Sequence, residues 1–202
     1  MERGDAMQDA AENRADAIAH GRAIKWTNAL AAFLCGGVPA AALTFLAWEG
    51  TARWTIGFAA GLLWANLFEY LYHRYLLHIP GKFFADRHLM HHASVGTPEE
   101  PLNINFGGSP LWILLLFAVN GVPLVVADLL LGWGVAGGAL AAFTLYFLAL
   151  EEIHWRIHVG ERLPGALERV RAYHTAHHDF PDARYNVFLP LSDWLFGSSR
   201  RI

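Results

Sequence analysis

Histidine is the residue type in this chain whose spacing most clearly predicts chemistry. Ten of the eleven histidines fall into four short motifs, and only His20 lies outside them. The motifs are HRYLLH, with His73 and His78; HLMHH, with His88, His91 and His92; HWRIH, with His154 and His158; and HTAHH, with His174, His177 and His178. Because imidazole is the commonest protein ligand for metal ions, these motifs predict a metal centre.

The spacing within each motif says how the imidazoles could converge. Residues three or four apart share one face of an α-helix, so HLMHH and HTAHH each present three imidazoles to one side and HWRIH presents two. His73 and His78 are five apart, so either the helix is distorted there or the two residues serve different metals or different parts of the site. One ion takes about four to six ligands, so ten histidines predict two metal ions, which imidazole alone does not identify as iron, zinc or copper.

Carboxylates close to these motifs are candidates for the outer layer of such a site. Metal-bound histidines usually donate their second ring N–H to a carboxylate or carbonyl, which fixes the orientation of the ring. Glu69 and Asp179 are the favoured partners, and Glu151 is a further candidate. Glu69 has an alternative role as an ion-pair partner of Arg74. Asn186 either orients a ligand or caps a turn, and no catalytic residue is expected beyond the metal ligands.

Composition places this site in a membrane protein. The chain is 54% hydrophobic and only 16% charged, and four apolar stretches are long enough to cross a bilayer as helices: 26–48, 52–72, 110–131 and 133–155. Glycine and proline in the last two leave re-entrant segments as an alternative. We therefore expect an all-α membrane protein with four transmembrane helices, arranged as two hairpins, and a cytoplasmic, histidine-rich helical cap.

The distribution of positive charge predicts the orientation in the membrane. Fourteen of the fifteen lysines and arginines lie in 1–25, 73–109 and 156–202, and only Arg53 falls on the other side of the predicted spans. Cytoplasmic segments of membrane proteins are enriched in these residues. Both termini and the histidine motifs are therefore predicted to be cytoplasmic. The net charge is −3 and the sequence contains no block of like charge, so no nucleic-acid partner is expected.

The remaining sequence features predict one main domain. Residues 1–25 mix acidic and basic groups without the apolar core of a signal peptide, which predicts a mobile or interfacial tail. Residues 26–202 contain no internal repeat and no linker, so they are expected to form a single membrane-embedded domain. The single cysteine, Cys35, excludes a disulfide framework and a thiolate metal site.

From about Glu69 to Ser198, the chain resembles the integral-membrane fatty acid hydroxylase and sterol desaturase superfamily. The shared segments are YHRYLLH, HLMHHAS, HWRIH, YHTAHH and the closing YNVFLPLSDWLFGS, and their form is closer to fatty acid 2-hydroxylases than to carotenoid hydroxylases. The resemblance implies a non-haem di-iron centre held by the ten histidines. Such a centre uses O₂ and two electrons to oxidise an unactivated C–H bond of a lipid, and zinc can replace the iron in purified protein.

The expected activity is hydroxylation of a fatty acyl or related lipid. Desaturation, or oxidation of a sterol-like or carotenoid lipid by the same site, is the alternative within this class. Two readings from other classes remain open: a membrane zinc hydrolase of lipid amides or esters, which needs only three histidines and one acid, and a metal carrier or sensor. A carrier needs ligands along a path through the spans, whereas these motifs are predicted at one face.

A separate electron donor is expected, because the 202 residues include no electron-carrier domain such as a cytochrome b5 unit. The donor would be cytochrome b5-like or ferredoxin-like. Arg74, Lys82, Arg87 and Arg171 are the predicted docking residues. The loop 93–109, rich in proline and glycine, is expected to be ordered near the metal site.

Overall fold

The computed structural model describes residues 2–46, 50–80 and 84–199, with side chains from residue 8 onward, and every regular element in these ranges is helical. The all-α prediction is therefore confirmed for the described chain. The α-helices are α1 (Glu2–Ala32), α2 (Val38–Leu46), α3 (Thr51–Tyr72), α4 (Ala85–Ser94), α5 (Pro110–Leu131), α6 (Ala136–Val159), α7 (Glu168–Asp179) and α8 (Leu191–Leu195). Short 3₁₀ turns lie at Glu100–Leu102 and Gly165–Leu167.

Within the described residues, three helical segments are long and apolar enough to cross a membrane: Gln8–Leu46, Pro110–Leu131 and Ala136–Val159. α5 exposes large apolar side chains such as Leu111 and Leu130, as expected for a helix in contact with lipid. The predicted span 52–72 does form the 22-residue helix α3, but it is not among the three. Four spans and two hairpins therefore stay predictions, and 47–49, at the end of the first predicted span, lie outside the described residues.

The chain between α5 and α6 is a short turn, and both helices are continuous despite the glycines and proline of the predicted spans 110–131 and 133–155. α5 ends at Gly132, whose φ of 63° is left-handed and whose N–H donates to the Asp128 carbonyl at 2.8 Å. The Asp128 carboxylate accepts the N–H groups of Val135 at 3.0 Å and Ala136 at 3.2 Å. Asp128 thus satisfies the first free N–H groups of α6.

The described chain divides into two compact units. The apolar unit comprises Thr27–Phe68 and Gly107–Leu150, and the histidine unit comprises Met1–Trp26, Glu69–Phe106 and Glu151–Ile202. Within the apolar unit, α3 and α6 approach closely through glycine. A Cβ atom added to Gly138 would lie 2.8 Å from the Phe58 nitrogen, so this contact requires a residue without a side chain.

Residues 1–25, predicted as a mobile or interfacial tail, are helical from Glu2 onward. Within the histidine unit, the Arg14 guanidinium donates to the Thr97 carbonyl at 3.1 Å, and the Lys25 ammonium lies 2.5 Å from the Glu152 carboxylate. The Gly21 carbonyl accepts the Asn105 amide at 2.9 Å. This helix therefore contributes to the histidine unit, while the division into a tail and one domain stays a prediction.

A π-helical turn, His73–Leu77, follows α3 directly. In a π-helical turn each residue bonds the one five positions away, so residues five apart come onto the same face. His73 and His78 are five apart, and the sequence analysis left open whether the helix is distorted at this point. The structure shows that it is.

Candidate metal centre

The ten motif histidines lie in the histidine unit and form two groups of five. Cluster A consists of His73, His78, His88, His92 and His177. Cluster B consists of His91, His154, His158, His174 and His178. Within each cluster, one nitrogen from every imidazole lies within 4.8 Å of the others. The structure therefore brings together all ten predicted ligands and resolves how they divide.

The two three-histidine motifs each contribute to both clusters. In α4, His88 and His92 belong to cluster A and His91 to cluster B. In α7 the pattern is reversed, because His177 belongs to cluster A while the other two histidines belong to cluster B. A histidine pair four apart thus serves one cluster, and the residue between them serves the other.

The distances between ring nitrogens fit a metal ion in each cluster. Two imidazoles bound at right angles to one ion, with bonds of about 2.1 Å, have nitrogens about 3.0 Å apart. In cluster A, His88 Nε2 lies 2.9 Å from His73 Nε2 and 3.1 Å from the Nε2 atoms of His78 and His92. In cluster B, His174 Nε2 lies 3.0 Å from His158 Nε2 and 3.1 Å from His178 Nε2.

Buried nitrogens without partners support the same fit. Within the described residues, both ring nitrogens of His91 and Nε2 of His154 are buried and lack a hydrogen-bond partner. A buried polar atom without a partner costs about 1 to 3 kcal/mol, which a bound metal ion would remove. The donor set in both clusters is neutral imidazole alone, which suits iron, zinc or copper.

The two clusters are adjacent. The rings of His92 in cluster A and His178 in cluster B have centroids 4.3 Å apart, and those of His88 and His91 are 5.7 Å apart. The two candidate metal positions therefore belong to one site rather than to two separate ones.

Cluster A is supported by backbone carbonyls of one loop, residues 183–187. His177 Nδ1 donates to the Ala183 carbonyl at 2.6 Å, and His73 Nδ1 donates to the Tyr185 carbonyl. Between them, Arg184 has a φ of 63°, the only left-handed value at a non-glycine residue in the described chain. Backbone in this unfavourable region is typical of functional sites. These bonds leave Nε2 of both histidines directed at the cluster.

Two buried acids hold this loop in place. The Glu69 carboxylate accepts the Asn186 side-chain amide at 2.9 Å and the Val187 N–H at 2.6 Å. The Asp193 carboxylate accepts the N–H groups of Tyr185 at 3.0 Å and Asn186 at 2.8 Å. Glu69 and Asn186, both predicted near the metals, thus act on cluster A through the loop, and Asp193 was missed by the sequence analysis.

Cluster B is supported by a different loop, residues 94–106, which is part of the segment 93–109 that was expected to lie near the site. His158 Nδ1 donates to Glu100 Oε1 at 2.8 Å, and His154 bonds the Ile104 carbonyl. Glu151, a predicted second-layer acid, accepts the Phe106 N–H at 2.9 Å and so helps to fix the end of this loop. Glu100 was not predicted from the sequence, although its place in this loop was a usable signal.

Asp179, predicted beside a metal ligand, and Arg171, predicted to dock the electron donor, have surroundings that those predictions did not anticipate. Asp179 is exposed at the end of α7, so its role beside a metal ligand stays a prediction. The Arg171 guanidinium donates to the carbonyls of Arg156 at 3.0 Å, Ile157 at 2.7 Å and Glu161 at 2.6 Å. These bonds tie α7 to the end of α6, the two helices that supply four histidines of cluster B.

Burial keeps the clustered imidazoles neutral, which is the form that binds metal. Burial, the largest cause, lowers the pKa of His78 and His92 to about 4 and that of His177 to about 3. For most of these histidines, repulsion from the charged form of neighbouring imidazoles lowers the pKa further. Burial also lowers the pKa well below its ordinary value in a further set: His73, His88, His91 and His174.

These lowered pKa values predict that metal-free protein loses stability in acid. Histidines in an unfolded chain titrate near about 6.5, so unfolding takes up protons below that pH and stability falls as the pH drops towards 4. We expect the unfolding temperature of metal-free protein, followed by tryptophan fluorescence, to fall steeply between pH 6.5 and about 4.5. Metal-loaded protein should resist to lower pH, and identical profiles for both forms would contradict the prediction.

Comparison with known proteins gives a consistent result. The family model described as Fatty acid hydroxylase matches residues 58–198. A dihydroceramide fatty acyl 2-hydroxylase of Arabidopsis thaliana is 28% identical over 149 residues, which cover 69% of this chain and 59% of that protein. Very-long-chain aldehyde decarbonylases of Oryza sativa subspecies indica and japonica are 31% identical over 129 residues, which cover 58% of this chain and 20% of each.

No solved structure matches the chain. The family model spans every motif histidine and the two supporting loops, and it extends to Ser198. Together with the three apolar helices, it supports an integral-membrane location. The chain belongs to the fatty acid hydroxylase family.

Proposed function

We propose that this protein is a membrane-bound di-iron enzyme that uses O₂ to hydroxylate the hydrocarbon chain of a fatty acyl lipid. The observation that carries the proposal is the pair of adjacent five-histidine clusters within a family match to fatty acid hydroxylases. The ten histidines are proposed as the metal ligands, five to each iron ion.

The protein's part in this chemistry is to hold and orient the metals. Bound iron ions would supply the activation of O₂ and the oxidation of an unactivated C–H bond, with two electrons from a separate donor. The five imidazoles of each cluster would hold one ion and would leave room on it for a small ligand, because such ions take up to about six ligands. Hydrogen bonds from Nδ1 to the two loops fix the tautomer, because the proton on Nδ1 leaves the Nε2 lone pair free.

The proposed substrate is a long acyl chain attached to a lipid. It rests on the dihydroceramide fatty acyl 2-hydroxylase relative, of whose length this chain covers 59%. A zinc hydrolase site keeps three protein ligands and one water on a single ion, which two clusters of five imidazoles do not resemble. A metal carrier would require ligands along a path through the spans, whereas all ten histidines lie within one compact unit.

The test is product analysis with isotopically labelled O₂. The protein would be produced in a host membrane, supplied with labelled O₂, and its lipids would be compared with those of a strain making His174→Ala protein. We expect acyl chains that carry one labelled hydroxyl group. A chain that has lost two hydrogens without gaining label would indicate desaturation, and a released fatty acid would indicate a hydrolase.

The proposed topology has four spans, with α3 as the fourth, and both termini and the metal centre on the cytoplasmic side. The charge distribution supports this arrangement. Because Cys35 is the only cysteine, it can be replaced and single cysteines introduced at Gly132 and at Asp179. An impermeant thiol reagent applied to intact cells should label the first and spare the second, whereas the reverse pattern would invert the topology.

The separate electron donor is proposed to dock on two arginines, Arg87 and Arg74. Arg87 is exposed on α4 and donates to the Leu102 carbonyl at 3.3 Å, which holds it beside the cluster B loop. Arg74 lies over the rings of Tyr75 and Tyr185, at 5.3 Å and 5.4 Å from their centroids. Lys82 lies outside the described residues, and the contacts of Arg171 with the end of α6 favour a structural role for that residue.

A further inference from the structure

In both clusters backbone carbonyls accept imidazole N–H groups, but cluster B also has a buried carboxylate as an acceptor. In cluster A, His73 and His177 donate to neutral backbone carbonyls. In cluster B, His158 donates to a carboxylate, Glu100, and the two side chains are only 2% and 5% exposed. A buried carboxylate makes an imidazole a stronger electron donor than a carbonyl does, and its negative charge attracts a nearby cation.

Glu100 is held firmly in this position. Its other carboxylate oxygen accepts the Gly96 N–H at 3.1 Å and lies 3.6 Å from the Arg14 guanidinium. The Arg14 side chain is 35% exposed, so water screens its charge more than that of the buried carboxylate. The carboxylate therefore keeps much of its effect on His158.

Cluster B is also less accessible to solvent than cluster A. Four of the five histidines in cluster B are buried, whereas three of the five in cluster A are only partly buried: His78, His88 and His92. A metal ion in cluster A would be reached more easily by water, protons and chelators. Two independent features thus make cluster B the more protected and more electron-rich site.

We propose that the two metal positions are unequal, that cluster B binds its ion more tightly than cluster A, and that Glu100 is the positioning residue responsible. This inference rests on the proposed function, because it assumes a metal ion in each cluster. Its consequence is an ordered loss of metal, in which cluster A empties first and cluster B retains its ion.

The test is a titration of metal-stripped protein with Co²⁺ or Zn²⁺ in the presence of a competing chelator. Two variants isolate the clusters: His88→Ala leaves cluster B intact, and His174→Ala leaves cluster A intact. We expect two binding steps in the wild type, only the tighter one in His88→Ala and only the weaker one in His174→Ala. Glu100→Gln should weaken the tighter step about 10- to 100-fold and leave the weaker one unchanged.

Matched variants separate charge from shape. Glu99→Gln changes the same residue type at the exposed neighbouring position and should leave both steps unchanged. Glu100→Gln keeps an oxygen that can accept the His158 proton, so a wild-type affinity in Glu100→Gln, with a loss only in Glu100→Ala, would overturn the role of charge. The unfolding temperature of each metal-free variant shows whether it is folded.

The outcomes distinguish this inference from the proposed function. Two equal binding steps, or a Glu100→Gln effect on both clusters, would overturn the inference and leave a di-metal enzyme standing. Unequal steps with the predicted Glu100→Gln effect, but no labelled product from O₂, would support the inference and overturn the proposed oxidation. Wild-type protein that is folded but binds no metal would overturn both.

Discussion

Replacing His88 with alanine is expected to remove one of two bound metal ions and to lower lipid oxidation by about a thousandfold or more. His88 is central to cluster A, because its Nε2 lies within 3.1 Å of the Nε2 atoms of His73, His78 and His92. When His88 is replaced, cluster A loses the one nitrogen that lies next to those of three other ligands. A reaction that needs both ions would stop even though cluster B stays loaded.

Metal content per chain and product yield together test this prediction. His20→Ala is the matched control, since His20 is exposed on α1 and lies outside both clusters, and it should retain both ions and full activity. The predicted pattern for His88→Ala is about one ion per chain and almost no product. Full activity with one ion would show that cluster A is not needed for the reaction, and two ions would show that His88 is not a required ligand.

Replacing Asp193 with alanine is expected to be the most damaging change that removes no histidine. The buried Asp193 carboxylate accepts four hydrogen bonds, from Tyr185 N–H, Asn186 N–H, the Tyr173 hydroxyl at 3.0 Å and the Ser198 hydroxyl at 2.7 Å. Its loss leaves buried donors without an acceptor, which should cost about 3 to 5 kcal/mol of unfolding free energy. The released loop would no longer hold the Tyr185 carbonyl against His73.

The predicted consequence is a selective loss of metal from cluster A. Denaturant unfolding measures the stability, and metal analysis of the folded fraction measures occupancy. Asp179→Ala offers a comparison, because Asp179 is an exposed aspartate that the sequence associates with a metal ligand. A stable Asp193→Ala protein that keeps both ions would contradict the proposed role of the loop, and metal loss in Asp179→Ala would support the sequence-based role of that residue.

The helices and the convergence of the histidines could be predicted from the sequence, because both depend on short-range patterns. Apolar stretches such as 110–131 have the length and composition that a bilayer requires, and α5 occupies those same residues. Histidine spacing predicted ten convergent side chains, which the structure brings together, and two metal ions, which stay a prediction. It also flagged the irregular interval from His73 to His78, where the structure has a π-helical turn.

The division of the histidines and the groups behind them could not be read from the chain. Whether His91 joins His88 or His154 depends on how α4 packs beside α6 and α7, which periodicity within one helix does not specify. Glu100 and the Ala183 carbonyl act across 58 and 6 residues of sequence, and backbone carbonyls carry no sequence signal at all. Asp179 was favoured because it adjoins His178; it is exposed at the end of α7, and its role beside a metal ligand stays a prediction.

The most direct test of the two-cluster site is the metal content of freshly purified protein in detergent, measured by elemental analysis against protein concentration. The arrangement of ten imidazoles in two adjacent groups predicts about two ions per chain, as iron or as zinc that replaced it. Folded protein that contains no metal would contradict the two-cluster site. So would protein that contains one ion and keeps that ion in both single variants, His88→Ala and His174→Ala.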